Sequence, residues 1–244
     1  VSYSNLSDSL RKFVVDRVAA NCEFAFGVGI YGAYFYKESC PKDIFMLLHN
    51  NSEVAYGLGL GFGATFFYLP ERFQSEIELL AKSNVKLDDG FGSGIGFVLK
   101  HLPAEVQESF FGQASSKNAF AAGLGYGLGY TWQYIGDVLR QRAFTFANLN
   151  SDFARGLGVG LGSHLPYLKS VFFDQVIAYA DTNSEFDRGF GVGAIWAWPY
   201  HSDNNKHIIT ERMETKGEFA RGVGFGLARI LQHFPTSERE QMLD

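Results

Sequence analysis

The chain is organised by seven glycine-rich runs in which glycine recurs at every second residue. The first glycines of successive runs lie 30 residues apart in the first step and 33 residues apart in each of the next five. These reference glycines are Gly27, Gly57, Gly90, Gly123, Gly156, Gly189 and Gly222. Positions 0, +2, +4 and +6 from the reference glycines hold 24 of the 28 glycines in the 244 residues. A period of this length is typical of repeat proteins.

The spacing of large apolar residues decides between strand and helix for these runs. Alternating glycine alone would fit a strand, in which every second residue shares a face. The large apolar residues instead recur every four residues, as at Phe153, Leu157, Leu161 and Leu165 in the fifth run. That spacing indicates an amphipathic helix. We therefore predict that each glycine run lies within an α-helix.

Start and stop signals predict that every unit is a helical hairpin. Five of the seven units open with Asn, a preferred N-cap residue. Pro70, Pro103 and Pro235 each lie thirteen residues after a reference glycine, where we expect the first helix to stop. Glycine-poor second helices are predicted within 75–81, 104–112, 170–179 and 206–213.

The repeat boundaries predict a single repeat domain over residues 1–244. A leading helix is expected within 1–20. The seven units cover 21–50, 51–83, 84–116, 117–149, 150–182, 183–215 and 216–244.

The glycine positions also predict how the first helices pack. Each glycine inside a helix costs about 1 kcal/mol relative to alanine, so packing has to offset the cost. At about 100° per residue, offsets 0 and +4 face one side of the helix and offsets +2 and +6 face the opposite side. We expect each first helix to lie closely between those of the preceding and following units. Bulkier second helices should then curve the stack, with the glycine helices on its concave side.

This organisation resembles the α-solenoid class, in which two-helix repeats stack into an arc, as tetratricopeptide and HEAT repeats do. The residue patterns of tetratricopeptide and ankyrin repeats are not reproduced, so the resemblance concerns architecture. We predict an all-α, right-handed α-solenoid of seven helical hairpins with a leading N-terminal helix.

Arginines in the last three glycine runs are candidate binding residues on the concave face. Position −1 holds Arg155, Arg188 and Arg221, and an acidic residue lies three positions before each of them. That spacing permits ion pairs along a helix. The row is either a solvated ladder of acid–arginine pairs or a site for an acidic or phosphorylated partner.

Aromatic residues at offsets +3 and +7 are the other candidates. We select Tyr126, Tyr130, Trp196 and Phe225 from this set, which also holds Tyr34 and Phe97. These side chains either complete the packing of a tight superhelix or bind an extended peptide or a partner helix.

Catalytic, cofactor and metal signatures are missing from the sequence. A phosphate-binding glycine motif occurs once per site, whereas these runs recur seven times and none is followed by Gly-Lys-Ser or Gly-Lys-Thr. No HExxH, zinc-type cluster or GxSxG occurs. The net charge of −5 disfavours nucleic acid as a partner. We predict no enzyme activity, cofactor or metal.

The function expected from this architecture is that of a non-catalytic scaffold that binds a protein or peptide on its concave face. The alternatives are a protein that assembles with itself through its end repeats and a membrane-associated repeat protein. Apolar, glycine-laced stretches at 54–69 and 119–135 motivate the membrane alternative. Cys22 and Cys40 are expected to be free thiols, which favours a cytoplasmic location.

Overall fold

The computed structural model describes residues 7–35, 46 and 51–231, and the elements found there are helical. A leading helix, α1 (Asp8–Ala20), precedes the hairpins. The first helices, which carry the glycine runs, are α2 (Cys22–Phe35), α3 (Ser52–Thr65), α5 (Val85–Val98), α7 (Asn118–Tyr130), α9 (Ser151–His164), α11 (Ser184–Trp196) and α13 (Gly217–Leu231). The second helices are α4 (Glu71–Ser83), α6 (Ala104–Ala114), α8 (Asp137–Ala147), α10 (Ser170–Ala180) and α12 (Asp203–Thr215).

The all-α prediction is confirmed, since no strand occurs in the described ranges. The four predicted second helices are present, each a little longer than its sequence signal. The second helix expected within 21–50, together with Cys40 and Pro235, lies outside the described residues.

The helices form two compact units, Val1–Gly127 and Leu128–Asp244, and the boundary between them falls within α7. In the first unit α2 packs against α3, and α3 packs against α5. In the second unit α9 packs against α11, and α11 packs against α13. Within each unit, neighbouring glycine helices therefore pack in chain order, which is compatible with a helical repeat.

Asparagine caps set the starts of five first helices, as the sequence predicts. The Asn51 Oδ1 accepts hydrogen bonds from the backbone N–H groups of Glu53, at 2.9 Å, and Val54, at 3.3 Å. Equivalent caps come from Asn21, Asn84, Asn150 and Asn183. These side chains satisfy backbone donors that have no partner within the helix.

The glycines face both neighbouring first helices, as expected from their angular positions. A Cβ added to Gly90 would overlap the Tyr56 carbonyl oxygen of the preceding first helix, and one on Gly92 would overlap the Phe120 carbonyl of the following one. In the second unit Gly189 and Gly191 make the same two approaches. Only glycine, which has no Cβ, lets the backbones approach this closely. This explains why a residue that disfavours helices recurs within them.

Helix α2 departs from the register that the sequence alignment gives it. In the later repeats, the glycine at offset +4 faces the backbone carbonyl of the residue at offset +3 on the preceding first helix, as Gly94 faces that of Leu60. Gly61 instead faces the carbonyl of Phe26, at −1, with 2.5 Å between an added Cβ and the oxygen. Helix α2 is therefore displaced by one turn, about 6 Å. The small residues Ala25 and Gly29 supply its contact face toward α3.

The prolines act at the start of the second helices, which corrects the prediction that they stop the first helices. Helix α3 ends at Thr65, and a 3-10 turn, Phe66–Tyr68, follows it. Pro70 stands immediately before α4, and its carbonyl accepts the backbone N–H of Phe73 at 2.8 Å. Pro103 precedes α6 in the same way. Because the proline ring fixes φ near the helical value, the residue suits a helix start.

The predicted apolar stripe forms the core. Phe153, Leu157 and Leu161 on α9 are fully buried, and so are the equivalent residues of the other first helices from α3 to α11. Second helices cover the stripe, as where the Phe153 ring lies 4.9 Å from that of Phe146 on α8. The described residues at the −1, +3 and +7 positions are exposed or half-buried, except Ser93 at +3 of α5, which is fully buried.

Candidate binding surface

The three predicted arginines lie on neighbouring helices in the second unit and form one continuous row of ion pairs. Arg155 lies on α9, Arg188 on α11 and Arg221 on α13. Each helix also contributes the acid three residues earlier. We call these six residues the charged ladder: Asp152, Arg155, Glu185, Arg188, Glu218 and Arg221.

Glutamates of the ladder bridge arginines on adjacent helices. The Glu185 carboxylate lies 3.0 Å from an Arg155 guanidinium nitrogen and 3.2 Å from one of Arg188. The Glu218 carboxylate lies 2.6 Å from Arg188 and 2.8 Å from Arg221. Arg155 also pairs with Asp152 at 3.5 Å. Within the described ranges, Arg155 and Arg188 thus have two acidic partners each, whereas Arg221 has one.

The pairing makes the ladder electrically balanced, with three acids and three arginines. Hydrogen bonds from Arg188 lower the pKa of Glu218, so this carboxylate stays ionised. The Arg155 and Arg221 side chains are 44% and 57% exposed, a setting in which ion pairs contribute little stability. The geometry matches the ladder of surface pairs considered from the sequence, and guanidinium surface stays accessible to a partner.

Of the predicted aromatic residues, Phe225 is the most exposed. Its side chain on α13 is 61% exposed, and it lies four residues after Arg221 on the same stripe. Trp196 is half-buried, and the Arg229 guanidinium lies 5.7 Å from its ring, within cation–π range. Val159 and Val192 lie at the +3 positions of the neighbouring helices and are half-buried.

Tyr130 and Tyr126 have other surroundings. Tyr130 is 41% exposed, and its ring lies 4.9 Å from that of the buried His164. The Gln133 amide lies 3.0 Å from His164 Nε2, and burial lowers the His164 pKa. Tyr126 is half-buried in the first unit, with its ring 6.1 Å from that of Phe97. Tyr34 is outside the residues whose side chains are described.

The second unit thus brings Arg155, Arg188, Arg221, Trp196 and Phe225 onto one helix surface, which we call the ladder face. It carries the charged ladder along one edge and an apolar row, Val159, Val192 and Phe225, beside it. Such a surface offers hydrogen-bonding groups of both signs next to apolar area.

A buried ion pair between α11 and α12 was not predicted from the sequence. Asp187 and Arg212 are 4% and 7% exposed, and Arg212 Nη2 lies 2.7 Å from an Asp187 oxygen. Arg212 also reaches Asp181, which Lys216 approaches at 3.0 Å. The available signal was an Asp at position −2, where most units have Ala.

Residues 7–35, 46 and 51–231 hold neither a metal-binding cluster nor a membrane-spanning helix. No group of three or more His, Cys, Asp or Glu side chains there is placed to hold a metal ion. The longest of these helices, α13, has 15 residues, and none has the length and apolar character needed to cross a bilayer.

Comparisons with family models, curated proteins and solved structures give no match to this chain.

Proposed function

We propose that this chain is a non-catalytic scaffold that binds a protein or peptide segment on the ladder face. The observation that carries the proposal is the exposed Phe225 ring, 61% accessible, beside an arginine row on the same helix surface. Aromatic and arginine side chains are enriched at protein interfaces, where a few residues carry most of the binding energy. A partner of this kind would lie across α9, α11 and α13.

The balanced ladder favours a partner segment that carries both charge signs around an apolar anchor. An incoming carboxylate competes with Glu185 and Glu218 for the arginines, so a purely acidic ligand gains little. A segment that places an apolar side chain against Phe225 and charges of both signs along the charged ladder is complementary to both parts of the ladder face. The alternative is that the ladder only stabilises the surface.

The finer architecture belongs to the same proposal: seven hairpins in a right-handed solenoid, with the glycine helices on the concave side and a cytoplasmic location. The seven glycine-run helices and five second helices of the described residues support the hairpin count. An experimental structure of the full chain tests the count and the handedness.

Capture followed by quantitative binding tests the function. The intact chain is immobilised, partners from a cell lysate are identified by mass spectrometry, and the tightest is purified and titrated. We expect the triple variant Arg155→Ala, Arg188→Ala, Arg221→Ala to bind it at least about tenfold more weakly. The control removes three exposed cations of second helices and connections, Arg72→Ala, Lys82→Ala and Lys169→Ala.

Unchanged affinity in the ladder variant, with an unchanged helical circular dichroism spectrum, would remove the ladder from the site. Equal losses in the ladder variant and the control would mean that the partner responds to net charge alone. Phe225→Ala separates the apolar anchor from the charges, and we expect a loss of affinity there without any change in charge.

A further inference from the structure

We propose that a second copy of this chain docks head to tail, with α2 of the second copy on the open side of α13. The proposal does not rest on the ladder-face function, because it concerns the side of α13 that would face a further repeat. It follows from the contact rule that the packed glycine helices of the second unit obey.

The rule has two backbone contacts and one ion pair. The +2 glycine of one helix faces the −3 carbonyl of the next, as Gly191 faces Phe219. The 0 glycine of the next helix faces the −1 carbonyl, as Gly222 faces Arg188. The −1 arginine binds the −4 acid of the next helix, as Arg188 binds Glu218.

The open side of α13 carries the two groups that contact the following first helix in this rule, the +2 glycine and the −1 arginine. No described residue lies within 4 Å of a Cβ added to Gly224, the +2 glycine. Among the described residues, Arg221 at −1 has Glu218 of its own helix as an acidic partner but no acid from a next helix, such as Arg188 has in Glu218. Gly224 therefore carries the cost of a helical glycine without the contact that explains the other +2 glycines.

Helix α2 carries the two groups that contact the preceding first helix in this rule, the −4 acid and the 0 glycine. It contains the acid–x–x–x–glycine sequence of the ladder helices, with Glu23 at −4 and Gly27 at 0. Glu23 is exposed, and no described residue lies within 4 Å of a Cβ added to Gly27. Phe24, whose equivalents on the other first helices are buried, is 37% exposed. In α3, which has the same sequence pattern, the corresponding glycine Gly57 is covered by α2.

Applying the rule between copies pairs these features. Gly27 meets the Arg221 carbonyl, Gly224 meets the Phe24 carbonyl, and Arg221 gains Glu23 as its second acid. The charges are complementary, and Gly27 and Gly224, which no described residue of the same chain approaches, each acquire a neighbouring backbone. Position +4 of α2 is Tyr31 instead of glycine, so the closest approach falls in the first half of α2.

The contact joins two different surfaces, so it extends into rings or open chains instead of stopping at a two-fold dimer. We expect the mass of the purified full chain, measured by sedimentation velocity, to rise steadily with protein concentration. A chain that stays monomeric at every concentration would overturn the proposal.

A steric variant tests the interface without disturbing the fold. No described residue lies within 4 Å of a Cβ added to Gly224, so we expect Gly224→Leu to be accommodated in the single chain but to overlap the docked helix. The control Gly112→Leu lies in an equally open position on the exposed side of α6. We expect Gly224→Leu to remain monomeric and Gly112→Leu to associate like the unmodified chain. Association that survives Gly224→Leu would overturn the proposal.

A charge exchange tests the pairing and separates it from burial of the α13 side by residues 232–244 of the same chain. Glu23→Arg and Arg221→Glu should each weaken association at least about tenfold, because each places like charges together. The double variant, Glu23→Arg with Arg221→Glu, should associate again, because the two side chains carry opposite charges in exchanged positions. The control Glu53→Arg changes the same register position on α3 and should associate normally. Loss in Glu53→Arg, or no recovery in the double variant, would contradict the Glu23–Arg221 pair.

Discussion

Asp88 in the first unit and Asp187 in the second occupy the same register position, two residues before a reference glycine, yet their charges are neutralised differently. Asp187 accepts two hydrogen bonds from Arg212, at 2.9 and 2.7 Å. Asp88 has Lys117 as a cation at 4.0 Å, and its Oδ1 has no hydrogen-bond partner. Both carboxylates are buried. The glycine framework fixes where such a residue lies, and the neighbouring segments decide whether its charge is stabilised there.

The largest effect is expected when the well-paired aspartate is removed. Asp187→Ala leaves the buried Arg212 with only Asp181, and breaking a buried pair in this way costs about 3 kcal/mol. Urea unfolding of the full chain measures the loss, and hydrogen exchange of α11 and α12 peptides locates it. The control is Asp174→Ala at an exposed position of α10. A loss no larger than that of the control would show that Asp187 is not stabilised by Arg212.

Glycine substitutions should affect the two units alike. We expect Gly90→Ala and Gly189→Ala to destabilise by about 1 to 3 kcal/mol each, because the added carbon overlaps a carbonyl of the preceding helix. Gly112→Ala, where nothing lies within 4 Å, should instead stabilise by up to about 1 kcal/mol. Denaturant unfolding of the three variants gives the comparison. A neutral result at only one of the two buried glycines would mean that the helix spacing differs between units.

Mild acid should loosen the second unit through its buried histidines. Burial lowers the pKa of His164 and of His201, whose Nε2 lies 2.9 Å from the Ala194 carbonyl. The unfolded chain therefore binds protons more readily, so stability is lost as the pH falls below the ordinary value of 6.5. Hydrogen exchange at a series of pH values measures the loss in α9 and α11 peptides. The variant His164→Gln should lose less protection as the pH falls. An unchanged pH response would show that protonation of His164 does not cause the loss.

The smallest effect is expected for the poorly paired aspartate. Burial raises the pKa of both aspartates, but the Arg212 hydrogen bonds oppose this effect at Asp187. At Asp88 the ionised form opposes folding, and the penalty grows as the pH rises through the raised pKa. Asp88→Ala restores the residue found at this position in most first helices. We expect a change within about 1 kcal/mol, toward greater stability, by urea unfolding. A loss as large as that of Asp187→Ala would erase the difference between the two sites.

The helices, their asparagine caps and the two-sided glycine contacts could be predicted because each depends on residues a few positions apart. The i,i+3 pairing of Glu185 with Arg188 could be predicted for the same reason. The bridges from Glu185 to Arg155 and from Glu218 to Arg188 require the distance between helices, which periodicity does not supply.

Residue spacing also could not reveal contacts that depend on tertiary register. Arg212 reaches Asp187 from a second helix, 25 residues away. Aligning Gly27 with Gly57 placed α2 one turn away from its observed register, because Ala25 with Gly29 serves the contact as well as a pair of glycines. Pro70 marks a hairpin, but which of its two helices the proline belongs to depends on the 3-10 turn between them.

At the packed glycines, the missing Cβ atom leaves a Cα hydrogen directed at a carbonyl oxygen of the adjacent helix, as between Gly189 and Arg155. Weak Cα–H···O interactions of this kind recur where helices approach closely. Neighbouring repeats are thus held partly by main-chain atoms that every residue possesses, so the outward side chains are free to diverge while the spacing of the array is kept.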